Sequence, residues 1–253
     1  MVTRSEAWPE GTPCWVELGV DDLDKAVAFY RALFGWEVER GGSSAGGYVS
    51  CILGGRKVAG IGSRMDESRP TAWTTYLAAD DVDEVAGRIT AAGGRVLTEP
   101  FDVMDLGRMT VALDPMGAAF GVWRSRAHIG VELANEPSAL VWNEQLSDDL
   151  DAAKRFYQAV FGYTYDDIEG GSYAMLKVAG RVAGGLGAFG TDTLPGTPPH
   201  WRTYIEVPVT DDACTKVTEL GGQVAVPPTD TPYGRLARVA DDQGAYFYVI
   251  QGN

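Results

Sequence analysis

The chain has 253 residues and a formal net charge of −14, with 45% hydrophobic, 10% aromatic and 22% charged residues. That composition excludes intrinsic disorder. Acidic residues outnumber basic ones in both halves (18 against 13 in 1–126, 17 against 8 in 127–253), which leaves no basic face for a nucleic-acid backbone or an anionic membrane.

In chain order, Cys14 to Val20 alternates as a strand does. Asp21 and Asp22 then supply an N-cap for a helix over Leu23 to Phe34. Its inward stripe is Ala26, Phe29, Tyr30, Leu33 and Phe34, and Gly35 stands where a left-handed C-cap belongs. Strands follow near 36–40, 48–53 and 57–62. The order then repeats, with a strand at 73–79, caps at Asp80 and Asp81, and a helix that buries Val82, Val85, Ala86 and Ile89 and ends at Gly93-Gly94. Strands near 95–97, 108–113 and 118–123 complete two βαβββ units.

The whole pattern then recurs. DDLDKAVAFYRALFGW (Asp21 to Trp36) matches DDLDAAKRFYQAVFGY (Asp148 to Tyr163) at 10 of 16 positions. Trp15 and Glu17 meet Trp142 and Glu144, Trp73 meets Trp201, and the turn Asp114 to Gly117 meets Asp241 to Gly244. A single repetition at a spacing near 127 residues is a domain duplication, not a solenoid. The expected organisation is a first domain over 10–126, a linker over 127–138 and a second domain over 139–253, each with its own core. The fold class is α+β: four βαβββ units forming two tandem domains, each a curled mixed sheet with helices on the outer face and the other face free to line a cleft.

Cys14, Cys51 and Cys214 have no zinc-type spacing and read as buried thiols of a reducing compartment. The N-terminus has no apolar signal core, and no run approaches the ~18 to 20 apolar residues of a membrane span, so a cytoplasmic location is expected. The paired aspartates at 21, 22, 80, 81, 148, 149, 211 and 212 read as helix caps, and His128 in the linker reads as solvated.

The paired units, the D-x-x-x-A-x-x-F-Y-x-x-x-x-G segment from Asp22 to Gly35 and the D-P-x-G turn at Asp114 resemble the vicinal oxygen chelate superfamily of glyoxalases, bleomycin-resistance proteins and extradiol dioxygenases. The tandem form resembles the two-domain actinobacterial type associated with antibiotic biosynthesis or resistance. In superfamily enzymes a divalent metal sits in the sheet cleft, held by first-strand and last-strand side chains. Carried over, the first-strand positions fall at Trp15 and Trp142, the third-unit His position at Thr74 and Arg202, and the last-strand Glu position at Gly121 and Tyr248. Indole offers a metal no lone pair and a guanidinium repels one. Glu144, His200 and Glu206 can be drawn as a substitute set, but copy one has no matching histidine. The expectation is therefore no metal and no cofactor.

Alternation sends Trp15, Glu17, Thr74, Tyr76, Gly121 and Trp123 toward one cleft. Trp142, Glu144, Arg202, Tyr204, Glu206, Tyr246 and Tyr248 go toward the other. Aromatic walls with one or two carboxylates suit a planar or cationic small molecule. The favoured reading is binding or sequestration of an aromatic molecule such as a polyketide antibiotic or intermediate, with a biosynthetic tailoring enzyme as a partner and a monomer or homodimer as the assembly. The alternative is a lyase, isomerase or oxygenase with non-standard metal ligands, or with Glu17 or Glu144 as general base. A structural role is open too: the tryptophans can be core plugs, and Glu144 with Arg202 an ion pair in the old metal position.

Overall fold

A computed structural model describes residues 1–42, 47–64, 70–168, 170–190, 193 and 196–253. The first copy follows a short arm, β1 (Val2–Thr3), and runs β2 (Pro13–Val20), α1 (Leu23–Phe34), β3 (Glu37–Arg40), β4 (Val49–Leu53), β5 (Arg56–Ser63), β6 (Ala72–Ala78), α2 (Val82–Ala91), β7 (Arg95–Val96), β8 (Phe101–Val103), β9 (Gly107–Leu113) and β10 (Ala119–Ser125). After β11 (Leu133–Ala134) the second runs β12 (Leu140–Ser147), α3 (Leu150–Phe161), β13 (Thr164–Asp167), β14 (Tyr173–Val178), β15 (Arg181–Ala188), β16 (His200–Glu206), α4 (Thr210–Glu219), β17 (Gln223–Thr231), β18 (Gly234–Ala240) and β19 (Tyr246–Gly252).

Each copy forms one mixed sheet, in the order β3-β4-β5-β2-β6-β10-β9-β7 and β13-β14-β15-β12-β16-β19-β18-β17. Within a unit the first and last strands pair in parallel across the helical crossover, and the two units join antiparallel through β2–β6 and β12–β16. The segment between the copies is more than a tether. Its β11 pairs with β12 on one side and with the N-terminal β1 on the other, so the arm preceding copy one is tied to the sheet of copy two.

Three helices start as expected: Asp22, Asp81 and Asp149 each accept hydrogen bonds from first-turn amides. The fourth departs from the pattern. Val209 holds the N-cap of α4 without a side-chain bond, and Asp211 and Asp212 lie inside its first turn, where they face the positive helix end. Gly35 and Gly162 end α1 and α3 at φ 71° and 69°, a left-handed conformation that costs glycine nothing.

The expectation of a separate core for each copy is corrected. The helices lie on the sheet face away from the clefts and meet helices of the other copy, α1 beside α4 and α2 beside α3. Both apolar clusters therefore mix copies: Tyr30 and Phe34 pack with Phe247, and Phe120 packs with Phe156 and Tyr157. Polar bonds repeat this exchange with pseudo-twofold symmetry. The Tyr30 hydroxyl donates to Asp241 at 2.9 Å and accepts from the Trp73 indole at 3.2 Å. The Tyr157 hydroxyl donates to Asp114 at 3.1 Å and accepts from Trp201 at 2.8 Å. The tyrosine of each F-Y pair and the aspartate of each opposite turn thus clamp one copy to the other. No helix among the described residues is long and apolar enough to cross a membrane.

Candidate ligand cavity in the first copy

Both copies build the same four-residue group on the cleft face. In copy one, Trp15 and Glu17 are successive cleft-facing residues of β2, Tyr76 comes from β6, and Tyr48 precedes β4. The Trp15 indole donates to the Tyr48 hydroxyl at 3.0 Å, and the hydroxyls of Tyr48 and Tyr76 face the Glu17 carboxylate, the latter at 3.4 Å. In copy two the Trp142 indole donates to Tyr173 at 3.0 Å, and Tyr173 and Tyr204 donate to Glu144 at 2.7 and 2.6 Å. Glycine is required beneath Tyr48 and Tyr173. A Cβ at Gly60 would lie 1.9 Å from the Tyr48 hydroxyl, and one at Gly185 1.8 Å from that of Tyr173.

Around this shared group the copies diverge. In copy two, Arg202 stands across from Glu144 with Nη1 3.6 Å from its carboxylate, and its guanidinium lies 4.8 Å from the Tyr248 ring. Tyr248 stacks on Tyr204 at 4.5 Å, and Arg238 covers Tyr246 at 4.2 Å. Glu144, Arg202, Tyr204, Tyr248 and Arg238 are all buried, while Tyr246 is exposed at the edge. These buried groups pack on one another beside Glu144.

At the matching positions copy one carries Thr74, Gly121, Val111 and Ala119. With no ring at 121, Tyr76 settles over the glycine backbone, so that a Cβ there would lie 2.1 Å from its ring. The long Tyr76 contact to Glu17 follows from that position. Beside Tyr76 and Glu17 lies a cavity of about 510 Å³, whose lining includes none of Thr74, Val111, Ala119 and Gly121. Its floor carries Trp15, Glu17, Tyr48 and Tyr76, and its side wall Met109, Trp123 and His128. The rim, from the β8 hairpin, is Phe101, Val103, Met104 and Leu106. Phe101 and Met104 are among the few large apolar side chains exposed to solvent.

Electrostatics set this cavity apart. Glu17 has no cationic partner among the described residues, and burial holds its carboxyl above the usual range despite the tyrosine hydroxyls. His128, expected in solvent, is 8% exposed and lies edge-on to Trp15 at 4.4 Å and to Trp123 at 5.5 Å. Its carbonyl accepts from the Trp123 indole at 2.9 Å, its Nδ1 is buried without a partner, and desolvation lowers its pKa to about 4. It is a neutral ring in the wall.

Of the residues expected at the first cleft, Trp15, Glu17, Tyr76 and Trp123 come together in this cavity, and Thr74 and Gly121 are not part of its lining. Trp142 also borders a second cavity of about 580 Å³ between the copies. Glu206 lies at the end of β16 beside Gly252. Tyr48, His128 and the β8 rim escaped sequence reading. Tyr48 and Tyr173 each follow a glycine pair or Gly-Ser at matching positions, and that alignment could have found them.

Two pairs of βαβββ units, each with its helices on one face of a mixed sheet, define a tandem α+β protein. The chain belongs to the glyoxalase/bleomycin resistance protein/dioxygenase superfamily, whose model matches it twice, over residues 14–122 and 139–248. CFP32 of Mycobacterium tuberculosis, provisionally designated a glyoxylase, is 40% identical over 99% of this chain and 98% of its own. The anthracycline biosynthesis protein DnrV of Streptomyces peucetius is 34% identical over 95% and 93%. Among solved structures, the Mn(II)-bound glyoxalase of Novosphingobium aromaticivorans aligns with a TM-score of 0.67 at 18% identity, covering 96% of this chain and 83% of that one. The 2,3-dioxygenase LapB of Pseudomonas sp. KL28 aligns at 0.65 and 13%, covering 97% and 94%. These likenesses establish the fold.

Among the described residues, a metal of the kind such folds hold finds no matching donor set. No three His, Cys, Asp or Glu side chains among the described residues converge on one point. His200 places Nδ1 2.9 Å from the Pro198 carbonyl and Nε2 3.4 Å from Arg202, and Glu144 is bound by two tyrosines and that arginine. Trp15, Thr74 and Gly121 supply no ligand in copy one.

Proposed function

We propose that the chain binds an aromatic small molecule, of the size and planarity of a polycyclic polyketide, in the cavity of copy one without a metal. The observation that carries this reading is the cavity itself: about 510 Å³ lined by Trp15, Tyr48, Tyr76 and Trp123 with the Glu17 carboxylate, beneath a rim where Phe101 and Met104 are exposed to solvent. Trp15, Trp123, Tyr48 and Tyr76 offer ring faces and edges for stacking, and Met104 and Met109 adapt to ligand shape. A relative named for anthracycline biosynthesis supports a polyketide ligand, and a tailoring enzyme that receives or delivers it as partner. Three buried free cysteines suit a reducing, cytoplasmic setting.

A thermal-shift screen of tricyclic and tetracyclic quinones tests this, with and without chelator. Stabilisation indifferent to chelator and weakened in the Phe101→Ala, Met104→Ala double variant is expected. Stabilisation that needs a divalent metal would refute it. A second reading rests on Glu17 itself. A desolvated carboxylate with a raised pKa, beside two phenol donors, has the character of a general base with an oxyanion partner. Ligand turnover abolished by Glu17→Gln with binding retained would favour that reading.

A further inference from the structure

The duplicated chain contains its own template for what the first cavity is missing. Both copies present a carboxylate beneath a Trp-Tyr pair, with a second tyrosine from the neighbouring strand. In copy two that carboxylate is completed by a guanidinium set between Glu144 and the Tyr248 ring, held by an ionic contact on one side and a ring face on the other. Copy one keeps Glu17 and its tyrosines and loses both remaining parts at once, the cation at Thr74 and the ring at Gly121. A desolvated carboxylate without a counter-charge is costly, and a cleft that retains one while removing its internal partner has left that place to something else.

Resting on the binding reading above, we propose that the first cavity recognises its ligand through a protonated nitrogen group, amine, amidine or guanidinium, joined to an aromatic ring. The cation docks on Glu17 as Arg202 does on Glu144, and the ring lies in the cavity between Tyr76 and the side wall of Met109, Trp123 and His128. The groups facing Glu17 agree with this: the hydroxyls of Tyr48 and Tyr76 orient it, and His128 in the same cavity is neutral near pH 7 and does not compete as a cation. The net charge of −14 draws cations toward the chain.

The test uses matched charged and neutral probes, benzamidine against benzamide and 2-naphthamidine against 2-naphthamide, titrated into the full chain at pH 8 with calorimetry and tryptophan fluorescence. The expected result is at least tenfold tighter binding of each amidine, with the preference collapsing toward one in Glu17→Gln. Thr74→Arg, which supplies the cation internally, is a second and independent variant. It is expected to abolish amidine binding while the chain keeps its far-ultraviolet dichroism and a cooperative melt. If amides bind as tightly as amidines, the cavity is a binding site without cation recognition and this proposal alone falls. Undiminished amidine preference in folded Thr74→Arg overturns it as well. If no probe of either kind binds, the site assignment falls with it.

Discussion

Replacing Tyr157 by Phe removes one hydroxyl and disturbs the clamp between the copies. The hydroxyl is fully buried, donates to Asp114 and accepts from the Trp201 indole. Asp114 keeps the Gln145 amide at 3.1 Å and backbone donors from Met116, Gly117 and Ala118 at 2.8–3.0 Å, so it loses one bond of several. Trp201 Nε1 keeps none. An orphaned buried donor costs about 1–3 kcal/mol and a lost bond to a charged group about 1.5–3 kcal/mol. Partial relaxation brings the sum to about 2–4 kcal/mol. For a chain of this size each kcal/mol moves the melting temperature by roughly 2–4 °C, so calorimetry should show a drop of roughly 5–15 °C. Because both cores mix the copies, the variant should still melt in one transition. A drop below 2 °C, or two separated transitions, would refute the shared core.

Tyr30→Phe, at the pseudo-symmetric position, should behave alike, because its hydroxyl links Trp73 to Asp241. For Glu17, whose folded pKa is raised, the stabilising contribution is complete below the unfolded value near 4.3 and is lost as pH rises through the folded value. Urea melts across pH 4 to 9 should therefore lose that component in Glu17→Gln, and an unchanged difference between the two proteins at every pH would contradict it. His128 has the opposite sign: a base depressed to about 4 from about 6.5 binds fewer protons folded than unfolded, so stability is lost as pH falls through that window, by up to about 3 kcal/mol. With two histidines in the chain, proton NMR titration should resolve His128 near 4, and a midpoint above 6 would place its ring in solvent. Gly121→Ala should cost about 1–3 kcal/mol by driving a methyl into the Tyr76 ring, and ligand binding should weaken in parallel.

Local signals carried the fold. The FY helix, its Asp cap and its closing glycine recur intact 127 residues later, and both helices form with those ends. The fourth helix was harder to read because Asp211 and Asp212 resemble caps in composition, while the cap slot holds Val209. What sequence periodicity cannot carry is contact across the duplication. Tyr30 and Asp241 are 211 residues apart, and an amphipathic stripe does not say which copy covers it. The candidate site was half legible. Alternation sent Trp15, Glu17, Thr74, Tyr76, Gly121 and Trp123 to one face, and of these Trp15, Glu17, Tyr76 and Trp123 line the cavity, whereas the β8 rim reaches it through pairing that no local pattern encodes. Arg202 and Tyr248 share the face of Glu144, but only packing shows that the guanidinium contacts both that carboxylate and the Tyr248 ring. Of the differences between the clefts, sequence reading set Thr74 against Arg202 but not Val111 against Arg238.

Binding stoichiometry tests the central claim most directly. Calorimetric titration of a stabilising aromatic ligand into chelator-treated protein should give one site per chain. Two sites per unmodified chain, or binding that vanishes with the chelator and returns with a divalent metal, would contradict the account.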